Sequence, residues 1–444
     1  MKLHSLLLNN FRRYEIALLH FHPNFTVLIG ENGKGKTTVL DAIAIMLRTY
    51  FQGSGITTGQ GGIKKSDARV VLQEKGGQVF LEQQKIVFLN ADATIHGNKI
   101  KWYRFIGDRG GRAKELVDIG LKDRERITTG NPDLPLLLYY GSGRPWNIHR
   151  KVETEKPGSQ LDAYRYCLDP KSDHKAFEKW FKKLSLSALQ KRKRSPALDV
   201  VEKSVISCIP DAEKFYHDAE LDQILIKLTS EGYVYFSNLS DGYRNMVAMV
   251  ADIAHRASRL NPHLEVEAAT HTKGIVLIDE IDLHLHPKWQ RRVVRDLQNT
   301  FPAMQFIATT HSPFIIQSLD AGEVIDLNRS VDPELVTLFP DGIAAPGPAD
   351  TYSDRSIEDI AEEVMGVEIP QRSERYQQMY EVAKRYYELL EQAQGASENE
   401  KAKLKAQLDE LSAPFSDNIA YHAFLEMERL AAGLGKTEQA GGES

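Results

Sequence analysis

One eight-residue stretch limits the folds open to this chain more than any other. Gly30-Glu31-Asn32-Gly33-Lys34-Gly35-Lys36-Thr37 fits the spacing G-x-x-x-x-G-K-[ST]. The run "FTVLI" in front of it reads as a short buried strand. Behind it, from Val39 to Leu47, apolar residues recur at helical spacing. A strand, a glycine-rich turn and a helix in that order make α/β the expected fold class. Glycines there let backbone N–H groups curl around phosphate oxygens without Cβ clashes, and the helix start adds its positive end. Lys36 is expected to reach the β- and γ-phosphates and the Thr37 hydroxyl to ligate Mg²⁺, with Thr38 beside them. ATP with Mg²⁺ is therefore the expected ligand.

Two further apolar runs end in polar residues, "GIVLIDE" (274–280) and "QFIATTH" (305–311). Asp279 at a strand end suits a Mg²⁺ ligand acting through water, and Glu280 suits a base that points toward an attacking water. The bland reading is a pair of solvated carboxylates. Four apolar residues in front and a phosphate loop upstream weigh against it. His311 is expected near the γ-phosphate, on a strand beside that of Asp279; a lone histidine otherwise reads as structural. His284 and His286 ("HLHP") read as loop residues rather than a metal pair.

Between these motifs the texture changes. "QGSGITTGQGGIKKSD" (52–67) reads as a mobile glycine-rich loop. "RVVLQEKGGQVFLEQQ" reads as a hairpin around Gly76–Gly77, with "KIKWYRFIG" as another strand of the same antiparallel set. "LPLLLYYGSGR" reads as one more buried strand. From about Lys151 to Thr229, Phe177, Trp180, Phe181, Leu184 and Leu189 fall at near-helical spacing among lysines and arginines, which suggests an inserted helical unit. "YVYFSNLSDG" returns to a strand, then a turn at Asp241–Gly242 and the opening of a helix. Beyond about Ala345 a charged helical hairpin is expected, with Ser397 and Glu400 spaced as a capping box. The expected division is 1–150, 151–231, 232–345 and 346–444: two halves of a catalytic unit around a helical insertion, then a C-terminal helical region for docking or oligomerisation. No internal repeat stands out.

Composition serves mainly to exclude. A net charge of −5 argues against a uniformly basic nucleic-acid coat. It leaves one local candidate, Lys191-Arg192-Lys193-Arg194, preceded by Lys179, Lys182 and Lys183; such a run is more often a solvated face. Two cysteines, Cys167 and Cys208, exclude a disulfide scaffold and fit a reducing cytoplasm as small buried side chains. No secretory leader and no apolar run of membrane-spanning length is visible.

The stretch "NLSDGYRNM" (238–246) carries a resemblance. Leu239-Ser240-Asp241-Gly242 matches the L-S-x-G signature of ABC-type ATPases, and with "GENGKGKTT", "LIDEIDLHLHP" and "ATTHSP" the chain resembles the ABC/SMC-like ATPase heads. That resemblance implies a head-type fold with an antiparallel β subdomain. It also implies that a signature helix caps the γ-phosphate held by a second subunit, so that Ser240 would bond it in trans and Gly242 would let the helix tip approach. Asp282 would lie in the loop crossing that interface. "NNFRRYE", "LLLYYGSGR", "YRYCLDPKSDHKAFEKWF" and "FSDNIAYHAFLEMERLAAGLG" look more narrowly like the PtuA family, ATPases of Septu anti-phage systems that also occur with some retrons. This implies a homodimer or higher even oligomer and an HNH-type nuclease partner, PtuB, active on nucleic acid. It brings with it the possibility of a retron reverse transcriptase with its RNA and DNA. The family's glutamine loop has no evident counterpart; Arg144 or its neighbours occupy that place. Arg12 and Arg13 read either as nucleotide contacts or as surface residues. Rival readings are an SMC/RecF-like repair or recombination ATPase acting on DNA itself, a nuclease with catalytic carboxylates in its tail, and a transporter subunit. The helical tail and long insertion disfavour the last two.

Overall fold

The computed structural model describes residues 1–59, 61–106, 113–143, 159–170, 174–328, 352–366, 374–392, 398–415 and 417–432. The chain divides into two compact units, Met1–Gly366 and Val367–Ser444.

Four apolar runs build the centre of the first unit. β3 (Phe25–Ile29), β8 (Leu136–Tyr140), β12 (Gly274–Ile278) and β13 (Met304–Thr309) are buried at every position, as strands covered on both faces must be. With β14 (Val324–Asp326) they form a five-stranded sheet in the order β14-β3-β13-β12-β8. Every neighbouring pair is parallel. Helix α1 (Lys36–Leu47) leaves the glycine-rich loop and buries Val39, Leu40, Ile43, Met46 and Leu47. Phe25 and Phe306 stack at 5.4 Å in the core.

A second, antiparallel sheet comprises β1 (Lys2–Phe11), β2 (Tyr14–His20), β6 (Phe88–Ile95) and β7 (Asn98–Phe105), in the order β2-β1-β6-β7. The hairpin around Gly76–Gly77 is present as β4 (Val70–Lys75) and β5 (Gln78–Gln83), but as a separate two-stranded ribbon. The strand "KIKWYRFIG" is thus not in its set. β7 pairs with β6 across the turn at His96–Gly97, because that short turn offers the nearer register. The glycine-rich loop is also not simply free. The Thr57 and Thr58 carbonyls accept the Tyr166 and Leu168 amides at 2.8 and 2.9 Å.

The insertion departs most from expectation. Helices α3 (His174–Lys191) and α4 (Pro196–Cys208) are there, following α2 (Lys114–Thr129) earlier in the chain. Its last part, however, supplies two strands, β9 (Ala212–Asp218) and β10 (Gln223–Leu228), which pair with the expected strand β11 (Gly232–Tyr235) in an antiparallel sheet. Aromatic and β-branched residues between tight turns at Asp222 and Gly232 favour pleated pairing over helix there. Helix α5 (Asp241–Leu260) follows. Its rear half is anchored by Asp252, which accepts from the Tyr140 hydroxyl at 2.8 Å and from Arg256 at 2.9 Å.

The unit boundary falls after Gly366 rather than near Ala345. The helix Ile357–Met365 buries Ile360 and Val364 in the same core as the sheet. The second unit holds helices Glu374–Gln392, Glu398–Ser412 and Ile419–Ala431, one more than the expected hairpin, around Tyr386, Leu390, Leu408 and Leu425. Ser397, and with it the capping box, lies outside the described residues. Cys167 and Cys208 are free and buried, and burial pushes both thiols far up from their ordinary range. Among the described residues no helix is long and apolar enough to cross a membrane.

Candidate active site

Parallel strand order decides what meets what. β3, β13 and β12 are neighbours, so their carboxyl ends release the glycine-rich loop, Thr310–His311 and Asp279–Glu280 along one rim. Ligands of open α/β sheets bind at that rim.

The loop itself is shaped by glycine. Gly33 and Gly35 have φ of +81° and +92°. At Gly35, the residue before α1, a Cβ would stand 2.7 Å from Arg13 Cδ and 2.9 Å from the Tyr14 hydroxyl oxygen. That hydroxyl donates to the Lys34 carbonyl at 2.9 Å and braces the loop from outside, while burial pushes it up to about 12. Lys36 is buried and its Nζ donates to the loop's own carbonyls, Gly30 at 2.7 Å and Glu31 at 3.1 Å. Burial holds this ammonium below the ordinary lysine value, against the opposing pull of Asp279, Glu280 and Asp282. An ammonium so placed, bonded among the described residues to neutral carbonyl oxygens alone, suits an incoming anion. Glu31 and Asn32 lie exposed at the crest, and Thr38 is half-buried on α1.

Asp279 is 3% exposed and is held by two hydroxyls: Thr37 Oγ1 donates at 3.0 Å and Thr309 Oγ1 at 2.7 Å. A buried carboxylate beside a hydroxyl is a hard oxygen set of the kind Mg²⁺ takes. Thr309 also accepts the Glu280 amide at 2.7 Å, and Glu280 itself sits at φ +51°. A non-glycine residue in that region costs energy that surrounding contacts must offset, and such strain collects at functional sites. Thr310 donates to Asp282 at 2.5 Å. His311 is half-buried; burial first, and the Lys36 charge second, hold its imidazole below the usual value.

The signature residues lie apart from this cluster. Ser240 precedes α5 in the N-cap position, is exposed, and makes no capping bond to its own helix. No hydrogen bond or ion pair among the described residues joins Ser240–Gly242 to Gly30–Thr37. Gly242 is buried for a reason internal to the chain: a Cβ there would stand 2.1 Å from the His284 carbonyl oxygen. His286 caps a short helix by accepting the Lys288 amide at 3.2 Å. Among the described residues no His/Cys/Asp/Glu group able to hold a metal ion is found.

Two other expectations sharpen. Arg12 is bound by Asp41 at 2.6 Å and Asp67 at 3.0 Å, so it ties the β1–β2 turn to α1. In the basic cluster Arg194 pairs with Asp199 and Glu202, and Lys182 with Asp222; Lys179 and Lys183 along α3 and Lys191, Arg192 and Lys193 at its end are exposed and have no ion pair among the described residues. Arg144 lies outside the described residues. Thr309 and Tyr14 were not singled out by the sequence; a hydroxyl closing the "FIATT" strand is the one signal that pointed to Thr309.

Residues 25–317 match the family described as "AAA domain, putative AbiEii toxin, Type IV TA system". "Retron Vc95 probable ATPase" of Vibrio cholerae serotype O1 biovar El Tor is 26% identical over 387 residues, 74% of each chain. "Septu protein PtuA" of Bacillus mycoides (strain KBAB4) is 40% identical over 309 residues, 69% of this chain and 37% of that protein. An SMC head bound to the C-terminal winged-helix domain of ScpA superposes with a TM-score of 0.43 at 16% identity, over 73% of this chain and 94% of that one. Matched over more than half its length, the chain belongs to this AAA-domain family and is a nucleotide-binding ATPase similar to PtuA and the retron ATPases.

Proposed function

We propose that the chain is a slow, regulatory ATPase that pairs with a second copy on binding ATP and Mg²⁺ and gates an HNH-type nuclease partner in anti-phage defence. The observation that carries the pairing is the α5 tip. Ser240 stands where a serine normally caps its own helix, yet it makes no such bond and faces outward. A free hydroxyl and bare helix amides are an anion site lacking an anion of its own. The γ-phosphate in the glycine-rich loop of a second copy supplies one. Support for the nuclease partner comes from the likeness to a protein named Septu PtuA, and for a reverse transcriptase from the retron ATPase. Such a chain would act in the cytoplasm. The C-terminal helical region, 346–444, is the surface for partner docking or oligomerisation, and Lys191, Arg192 and Lys193 for a nucleic-acid contact.

In this mechanism Lys36 and the loop amides of Gly33 and Gly35 neutralise the β- and γ-phosphates. Thr37 and Asp279 would hold Mg²⁺, which adds charge neutralisation at the phosphate oxygens when bound. Glu280 orients a water in line with the γ-phosphate and takes its proton. Thr309, bonded to both Asp279 and the Glu280 amide, keeps the two carboxylates in register. His311, neutral at pH 7, reports the γ-phosphate by hydrogen bonding, and Ser240 of the second copy closes the site.

The test is complementation. Lys36→Ala and Ser240→Arg chains are each expected to be inactive. An equal mixture should regain about a quarter of wild-type hydrolysis, because random pairing into dimers leaves one composite site in four intact. Two folded variants whose mixtures stay silent at every ratio would remove trans assembly from the reading. Nucleotide-dependent DNA binding by the chain alone would favour the repair-type alternative.

A further inference from the structure

A second cavity opens at the opposite rim of the parallel sheet. It measures about 260 Å³ and lies where β8 and β12 begin, against the start of β1 and the β6–β7 turn. Its position is set by residues just outside the strands: Leu134 and Pro135 before β8, Lys273 before β12, Lys2 opening β1, His96 in the turn.

The charges around it do not balance. Asp133 is tied to His263 at 2.8 Å. Asp123, 1% exposed beneath the turn, accepts from the Tyr50 hydroxyl at 2.8 Å and lies 2.8 Å from His96 Nε2. His271 leans on Glu267 at 3.6 Å. The two ammoniums remain: Lys2 meets only the neutral Asn24 side chain, at 3.1 Å, and Lys273 has no ion pair among the described residues. Lys2 is held below the ordinary lysine value by burial and then by the Lys273 charge, as expected for two neighbouring cations with no anion between them. Leu134, Pro135 and Leu264 give the remaining wall an apolar surface.

We propose that this cavity is a second ligand site, separate from the nucleotide site, that takes a phosphate monoester carried on a compact apolar or aromatic body. Two ammoniums match the near-dianionic charge of a phosphate monoester at pH 7. The apolar wall accepts the body, and the volume lies at the small end of ligand pockets, which limits its size. His96, fixed by Asp123, offers its second ring nitrogen as a further polar contact.

Phenyl phosphate is the probe, titrated by calorimetry into full-length Lys36→Ala protein so that the glycine-rich loop is crippled. Saturable binding at millimolar concentration is expected. Lys2→Gln/Lys273→Gln in that background should weaken it by about 100-fold, roughly tenfold for each charge-assisted contact. Lys273→Gln alone, at an exposed position, serves if the double variant does not fold. ATP binding by the otherwise wild-type chain should be unchanged by these lysine substitutions. No binding to Lys36→Ala protein, or binding indifferent to both lysines, overturns the site. Inorganic phosphate binding as tightly as phenyl phosphate overturns the organic body, whereas weaker binding together with a loss on Leu264→Ser supports it.

Discussion

The glycine-rich loop and the tip of α5 treat their polar groups in opposite ways. Around Asp279 almost every group is already engaged: two hydroxyls on the carboxylate, two carbonyls on Lys36, a tyrosine outside the loop. At Ser240 the hydroxyl caps nothing and the residue is exposed. Yet α5 is no loose element, since Asp252, Arg256 and Tyr140 pin its rear half. His255 there stacks on Trp180 with ring centroids 3.7 Å apart. One site is preorganised within a single chain, where catalytic electrostatics work best. The other is a rigid part presented outward, the part that the proposed pairing with a second copy would use.

The contrast can be broken first at Glu280. Glu280→Gln should lower single-turnover hydrolysis by about 10³-fold, the range of general-base loss, while nucleotide still binds and paired species accumulate by light scattering. A variant that hydrolyses normally would take Glu280 out of the site. Gly242→Ala comes next. Its methyl must displace the His284 carbonyl, an overpacking that costs about 1–3 kcal/mol in thermal unfolding and should cut hydrolysis at least tenfold. Unchanged melting and turnover would mean the tip is softer than its packing suggests. Thr309→Val removes the hydroxyl shared by Asp279 and Glu280. It should cost roughly 1–3 kcal/mol of transition-state stabilisation, read in kcat with little change in nucleotide affinity. Tyr14→Phe, which leaves the loop standing but unbraced, should raise the Kd for nucleotide only by about threefold.

The rear of α5 supplies a last measurement. Burial pushes the His255 imidazole down to about 3. Its unfolded value is near 6.5, so the unfolded chain takes up the proton first as pH falls. The stability this residue allows is fully present above about pH 6.5 and is lost progressively toward pH 3. His255→Phe should flatten that slope in denaturant titrations while leaving Glu280-dependent hydrolysis at pH 8 in place. An unaltered slope would assign the acid sensitivity to other groups.

The sheet-borne part of the site was legible because burial on both faces forces unbroken apolar runs, and polar residues at their ends stand out. "FTVLIG", "GIVLIDE" and "QFIATTH" carry that pattern, and their adjacency follows from parallel pairing. What the sequence hid was partnership at long range. Thr309 holds both Asp279 and the Glu280 amide, and no local pattern records that, or that Tyr14 will reach the carbonyl of Lys34. β7 was set beside the wrong hairpin for a related reason, since alternation marks a strand without naming its neighbour. Only β9 and β10, at Ala212–Asp218 and Gln223–Leu228, were hidden, because they are short and follow a lysine-rich helix whose composition coloured their reading; the aromatic run of β11 stood out as a strand.

Gly242 leaves a last consequence. With no methyl between them, the front of α5 and the peptide four residues beyond Glu280 share a single van der Waals boundary. Pressure on the one is displacement of the other. In a face-to-face pair, the terminal phosphate lodged in one molecule would press on its neighbour's helix and, through that boundary, on the neighbour's own carboxylate. In the proposed pair the two hydrolytic centres would then be mechanically coupled, so that a change at one is felt at the other.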